Sequence, residues 1–346
     1  MPSEETGSHQ PGRKLLDETR HFAKDSRIKS WLYTGSTIGL LAAALVLAAV
    51  IPWWPARLGA AVLGGLLFVR AFIVFHDFMH GSLLRGSRLA KAVLWFYGLL
   101  MLTPPRYWRY SHNFHHAHVG KPVASEPGSL PLMTSDLGSF PLMTTAIWRE
   151  ASTWQRLRYR VSRHPLTFLF AYLTMFFFSI CLLPLLKDPG KYWDAGLSIL
   201  AHGGLLAAVW VFAGFPVLFF AFLLPFTIAA ALGAYLFYAQ HNYPGMHIVA
   251  AEEWTYYRGA TESSSYMKLG PIMKWFTGNI GYHHIHHLNP LIPFYRLPEA
   301  MAAIPELQEP DVTSLHPREI LACLRLNLWD LEKQRLVSYR EAAGPA

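Results

Sequence analysis

Cysteine is almost absent from this chain of 346 residues: Cys181 and Cys323 are the only two. One sits in an apolar stretch and the other in a C-terminal helical pattern, so neither a disulfide framework nor a thiolate metal site is available. Charge is also scarce, at 15% of residues against 52% hydrophobic, and acidic side chains are the scarcer sign, 22 against 30 basic. The net charge of +8 raises nucleic-acid binding, but the lysines and arginines flank apolar blocks, where anionic lipid accounts for them. No nucleic-acid partner is expected. No Gly-x-Gly-x-x-Gly fingerprint opens a βαβ unit and no haem-binding segment is evident, so bound flavin, nicotinamide or haem is not expected either. Nor does a short apolar run follow a basic N-terminus. Met1 to Ser30 is polar and mixed in charge, and is read as a cytoplasmic segment with no signal peptide.

Long apolar runs are what the chain has instead, and they define an all-α integral membrane protein. About four transmembrane helices are expected, with interfacial or re-entrant helices and a cytoplasmic helical cap. Trp31 to Ile51 is the first span, ending at the interfacial pair Trp53-Trp54. Leu58 to Phe75 returns, with Arg70 placed to snorkel. Leu89 to Leu102 is too short to cross and reads as interfacial or re-entrant. A loop from Gly120 to Met143 holds four prolines and no period. The stretch with Arg149, Arg156, Arg158, Arg160 and Arg163 marks the cytoplasmic side. Leu166 to Leu186 is expected to cross outward. Leu197 to Phe212 and Val217 to Tyr238 are then both apolar, yet histidines on either side of them can share a site only if the crossings between are even in number. The reading adopted makes Leu197 to Phe212, with His202-Gly203-Gly204, interfacial or half-crossing, and Val217 to Tyr238 the return; the reverse choice satisfies the same parity. Pro317 opens an amphipathic helix carrying Ile320, Leu324, Leu328 and Leu331 on one side. The parts are thus 1–30, a membrane domain 31–298, and a cytoplasmic tail 299–346. No internal repeat is found.

Histidine is the residue in excess. Of seventeen, twelve fall within 76–80, 112–118, 241–247 and 283–287. His76 and His80, then His112, His115 and His116, then His283, His286 and His287 follow i, i+3 or i+4 spacing, which gathers imidazoles along a helix face. Each cluster lies next to an apolar run. A lone His76-x-x-x-His80 also suits two interfacial histidines, but three co-facial imidazoles gain little on a helix surface unless something binds them. With His241 the set offers nine neutral nitrogen donors, enough for more than one first-row transition metal. His118, His247 and His284 fall off the repeated spacing and suit surface or second-layer positions, whereas His9, His21, His164, His202 and His316 carry no pattern. Asp77 is placed to orient a ligand imidazole, and an interfacial acid at a helix end accounts for it equally well.

The segments His76-Asp-Phe-Met-His80-Gly-Ser-Leu, Trp108-Arg-Tyr-Ser-His112-Asn-Phe-His115-His116 and Gly278-Asn-Ile-Gly-Tyr-His283-His-Ile-His286-His287-Leu-Asn-Pro-Leu-Ile-Pro-Phe-Tyr-Arg-Leu-Pro resemble the three histidine boxes of integral-membrane fatty acid desaturases. The likeness runs from about Leu58 to Pro298 and looks most like the bacterial and plastid-type acyl-lipid branch, Δ12 or omega-6-like. It implies that the boxes bind two irons, with His241 of Tyr238-Ala-Gln-His241 as the further ligand, and that O₂ is the co-substrate. The three-residue interval of the first box is that of acyl-lipid enzymes and implies a lipid-linked acyl substrate. Phe78 and Met79 stand where the branch usually has Cys-Gly, and the loop from Val119 to Met143 departs from the branch.

Removing hydrogens from an unactivated methylene demands redox-active metals, access for O₂, exclusion of water, and a C–C bond placed beside the metals. Zinc fits such donors but cannot change redox state. Trp108, Tyr110, Trp254, Tyr256, Tyr257, Trp275 and Tyr282 suit an interfacial belt or the walls of an acyl tunnel. Asn279, four residues before His283 on an expected helix, is placed to reach a metal through water. Electrons must come from a separate donor such as a ferredoxin with its reductase, for which the arginines at 149–163 offer a positive surface; topology alone also explains those charges. Two alternatives stay open. One is a di-iron hydroxylase or ketolase acting on an alkane or carotenoid. The other is a membrane metal transporter, which would place histidines at mid-bilayer depth rather than at the ends of the spans.

Overall fold

The computed structural model describes residues 10–122 and 137–343; His9 and most of the proline-bearing loop lie outside them. A short helix, α1 (Gln10–Thr19), precedes α2 (Arg27–Val50) and α3 (Trp54–His80), which pack along each other as a hairpin. Pro55 sits in the first turn of α3, where its missing N–H costs nothing. Gly81, at φ +79°, ends that helix directly after His80, with its N–H on the carbonyls of Asp77 and Phe78. That left-handed cap needs glycine. α4 (Arg88–Leu100) and α5 (Pro105–His118) follow, the first 13 residues long and too short to cross, as expected.

The next stretch holds α6 (Thr145–Glu150), α7 (Thr153–Ser162) and α8 (Pro165–Leu169), then a π-helix at Tyr172–Leu182 running into α9 (Leu183–Lys187). α10 (Trp193–Ala213) leads through Gly214 to an apolar helix covering Phe215–Ala239, made of α11 (Phe215–Leu218), a π-turn and α12 (Leu224–Ala239). Among the described residues, four helices are long and apolar enough to cross a membrane: α2, α3, α10 and Phe215–Ala239. The count meets expectation, but two assignments are exchanged. Where Leu166 to Leu186 is expected to cross, the apolar helix is Tyr172–Lys187, whose 16 residues reach about 24 Å at 1.5 Å per residue, short of a core of roughly 30 Å. Leu197 to Phe212, expected to stop halfway, lies inside the 21-residue α10. Glycine and alanine do not weaken it as a membrane helix, because small residues permit close packing and the backbone bonds stay internal.

α3 is the central and most buried of the four, packed against both α2 and α12. A Cβ on Gly65 would come within 3.0 Å of the Pro225 carbonyl and 2.9 Å of Ile228, so this glycine lets α12 close onto α3. Arg70 does not snorkel. It is buried inside the bundle, with Nε donating to Thr37 Oγ1 at 3.1 Å, Nη1 donating to the Trp275 carbonyl, and the guanidinium 4.1 Å from the Trp275 ring. It therefore ties the first-box helix to the segment that leads into the third box.

Beyond Ala239 come α13 (Tyr256–Glu262), α14 (Pro271–Phe276), α15 (His283–Leu288), α16 (Leu297–Ala303) and α17 (Pro317–Arg325). The helix opened by Pro317 ends at Arg325. Leu328 belongs to a strand and Leu331 to the turn after it, correcting the longer helix expected there. The fold is mostly helical, with five short strands among the described residues. β1 (Met143–Thr144) runs parallel to β4 (Leu328–Asp330), which pairs antiparallel with β5 (Arg335–Val337); β2 (Tyr266–Lys268) runs parallel to β3 (Val312–Ser314). These ladders and the buried Trp329 fasten the tail onto the histidine-bearing end of the bundle.

Candidate metal centre

Each histidine arrives on a segment whose end is fixed. His76 and His80 stand one turn apart at the end of α3. α5 carries His112, His115 and His116, and its first turn is held by the buried Asp194, whose Oδ2 accepts from the N–H of Arg106 at 2.8 Å and of Tyr107 at 3.4 Å. His241 follows Phe215–Ala239 by two residues. Gln240 donates from Nε2 to the Ile280 carbonyl at 2.8 Å, linking that segment to the third box. His283, His286 and His287 sit on the six-residue α15.

All nine histidines come together, in two groups. His76, His80, His112, His116 and His286 form one; His115, His241, His283 and His287 form the other, and within each the ligand nitrogens lie within 4.8 Å of one another. The i, i+4 pairs stay together while His115 and His286 cross over, so α5 and α15 each serve both groups. In the first group Nε2 atoms stand 3.0 Å apart for His76 and His112, 3.1 Å for His112 and His116, and 3.2 Å for His116 and His286. In the second they close a ring: His115 to His241 3.1 Å, His241 to His283 2.9 Å, His283 to His287 3.1 Å, and His287 to His115 3.2 Å.

Hydrogen bonds cannot account for that ring. Each Nε2 is either a donor with one N–H or a bare acceptor, so at most two of the four contacts can be bonds. The proton of His241 is already on Nδ1, donated to the Ser263 carbonyl at 2.9 Å. A cation among the four nitrogens satisfies them all. Taken as a square of about 3.1 Å, the ring has its centre about 2.2 Å from each corner, close to a metal–imidazole bond. In the first group, His80 Nε2 is buried with no hydrogen-bond partner among the described residues. Burial, with the neighbouring imidazoles adding to it, holds His112, His115, His116, His283, His286 and His287 well below the usual imidazole range. Burial also pushes His241 down to about 4. The rings are therefore neutral near pH 7, the form that ligates metals.

Around the nitrogens lies a layer of orienting contacts. Asp77 Oδ1 is 2.9 Å from His76 Nδ1, while its Oδ2 accepts from the Phe294 N–H at 2.7 Å. Ser139 Oγ is 2.7 Å from His115 Nδ1. Tyr256 donates to the His287 carbonyl at 2.5 Å, and Trp108 stacks on His112 at 4.4 Å between ring centres. Ser139 and Ser263 carried no signal in the sequence, since serines in loops are commonplace. Asn279 is not on a helix: α15 begins at His283, and Asn279, at φ +55°, donates from Nδ2 to the Phe294 carbonyl at 3.1 Å. His284 joins neither group; its Nε2 meets the Leu307 carbonyl at 3.2 Å. His118 turns away to stack on Phe114, and His202 lies between Tyr172 and the Leu100 carbonyl.

A cavity of about 1180 Å³ leads to this centre, above the usual range for ligand pockets. His76, His112 and His283 stand in its wall, so it touches both groups. Phe72, Phe237 and Ile280 line its inner part, and of the aromatic candidates Trp108 and Tyr110 line it.

Fold and site together define an integral membrane protein with paired histidine clusters at the end of an apolar cavity. A profile of the fatty acid desaturase family matches residues 52–318, and the chain belongs to that family: it is a fatty acid desaturase, an oxidoreductase. It is 31% identical over 290 residues to a fatty acid desaturase of Bacillus subtilis (strain 168), covering 82% of this chain and 77% of the relative. Over 274 residues it is 27% identical to an endoplasmic reticulum omega-3 fatty acid desaturase of Vigna radiata var. radiata, 72% of this chain and 62% of the relative. A Delta(9) fatty acid conjugase-like enzyme of Dimorphotheca sinuata is 25% identical over 260 residues, 71% of this chain and 67% of the relative.

Proposed function

We propose that this desaturase introduces a cis double bond into a lipid-linked fatty acyl chain, using O₂ and two irons held by the nine histidines. The observation that carries the reading is one apolar cavity ending on histidines of both groups. Irons held there would supply the oxygen activation needed to break C–H bonds of an unactivated methylene. The chain's own residues do the rest. Phe72, Phe237 and Ile280 exclude water and hold the hydrocarbon extended, while Trp108, fixed against His112, limits where the reacting carbons can lie. Asp77 and Ser139 fix the rings of His76 and His115.

The balance requires two hydrogens from the acyl chain, with two electrons and two protons from outside, to reduce O₂ to two waters. A separate donor such as a ferredoxin and its reductase supplies the electrons, and the Arg149–Arg163 region suits an acidic partner by electrostatic steering. The basic flanks support an inner-membrane placement with the centre on the cytoplasmic side. They support equally a cytoplasmic placement for the N-terminal segment 1–30 and the tail 299–346, flanking a membrane domain 31–298. Δ12 or omega-6-like regiochemistry is the position that the box motifs favour.

Expression with a ferredoxin system, followed by mass spectrometry of membrane lipids, tests the reading. Loss of two hydrogens from an acyl chain is expected in the iron-loaded protein and not in a zinc-loaded one. Gain of a single oxygen instead would make the enzyme a hydroxylase.

A further inference from the structure

The cavity has a second end, and its chemistry differs from the first. Its outer part is lined by Trp154, Leu157 and Val161 of α7, Leu173 of the π-helix and Leu183 of α9. All five side chains are exposed, Trp154 at 65% and Leu183 at 45%. On α7 the first three lie at i, i+3 and i+7, a single stripe, and Arg158 falls on the same side at i+4 from Trp154. Apolar side chains exposed in this way on a membrane protein face hydrocarbon, so the opening is lateral, between α7 and the Tyr172–Lys187 helix, and gives onto the bilayer rather than onto water.

Two cations stand in that rim. Arg158 and Lys187 both line the cavity, both are exposed, and neither side chain forms an ion pair or hydrogen bond among the described residues. Their neighbours behave otherwise: Arg156 bonds the carbonyls of Trp148 and Arg149, and Arg160 lies over the rings of Trp148 and Tyr339. An exposed tryptophan, an apolar stripe and two free cations at the mouth of a hydrocarbon-sized cavity match one kind of molecule, with a phosphate at the level of the interface and an acyl chain running inward. We infer that Arg158 and Lys187 anchor the phosphate of an anionic glycerophospholipid whose acyl chain enters laterally between α7 and the Tyr172–Lys187 helix. The inference rests on the proposed lipid-linked substrate and specifies its headgroup.

The test uses the full-length protein in nanodiscs of equal phosphatidylglycerol and phosphatidylcholine, with retained lipid measured by native mass spectrometry and product by lipid analysis. Wild type is expected to enrich phosphatidylglycerol over the double variant R158Q/K187Q by about tenfold, the order expected of two cations facing one phosphate. Arg158→Lys, which keeps the charge, should retain most of the enrichment, and metal content should be unchanged in every variant. An unchanged headgroup ratio in the double variant overturns the anchor, as does displacement of the bound lipid by a water-soluble acyl-CoA at matching concentration. Desaturation with unchanged enrichment removes the anchor alone. Enrichment lost in the double variant with no desaturation by either protein upholds the anchor and removes the proposed reaction.

Discussion

The two histidine groups are made of the same side chain and held in different ways. In the first, four of five rings stand on long helices: His76 and His80 end the 27-residue α3, and His112 and His116 share a face of the 14-residue α5. A carboxylate, Asp77, orients one of them. In the second, three of four rings come from His241, just past a helix end, and from His283 and His287 on a six-residue helix. Its orienting partners are a hydroxyl and a backbone carbonyl, from Ser139 and Ser263. Helix geometry sets the first group, whereas the second depends on how loops are pinned. Donor number adds to the contrast, since the loss of one ligand leaves four in the first group and three in the second.

The comparison breaks most plainly at His241. His241→Ala is expected to abolish product formation and to lower metal content from two equivalents to one, measured by elemental analysis of purified protein. His80→Ala should retain both metals in the absence of chelator, with activity reduced but detectable; if it loses its metal as completely as His241→Ala does, the two groups are not unequal in the way described. Asp77→Ala should weaken metal retention about 10- to 100-fold in a chelator competition, the usual cost of removing an orienting carboxylate, and Asp77→Asn less because the Phe294 N–H keeps an acceptor. Ser139→Ala removes one neutral hydrogen bond of about 1 kcal/mol and should cost roughly fivefold in the affinity of the second group alone. An equal loss from both groups would show that Ser139 acts on the whole centre rather than on His115.

Much of this was legible in the residues. Histidine spacing at the ends of apolar runs singled out eight of the nine rings that the structure gathers, because i, i+4 pairs on a helix are neighbours whatever the rest of the fold does, and His241 was added through the family resemblance. Apolar length predicted four spans for the same reason: crossing a bilayer demands about twenty residues wherever they lie. Assigning those spans was another matter. The stretches at 166–186 and 197–212 are alike in hydropathy, and the sequence could not show that Tyr172–Leu182 winds as a π-helix while α10 runs unbroken. Arg70 looked like a snorkelling residue because its partner, the Trp275 carbonyl, lies 205 positions away.

By itself, then, the sequence determined the candidate donors, the apolar lengths and the capping glycine after His80, all set by neighbours within a turn or two. The tertiary structure alone decided how the donors divide. His115 stands next to His116, and His286 next to His287, yet each goes to the opposite group. Consecutive residues on a helix point about 100° apart, and which direction meets a metal depends on what is packed on that side. The same packing lines one cavity with side chains of α7 and the π-helix, far apart from α3 and α15 in the chain, and with His76, His112 and His283.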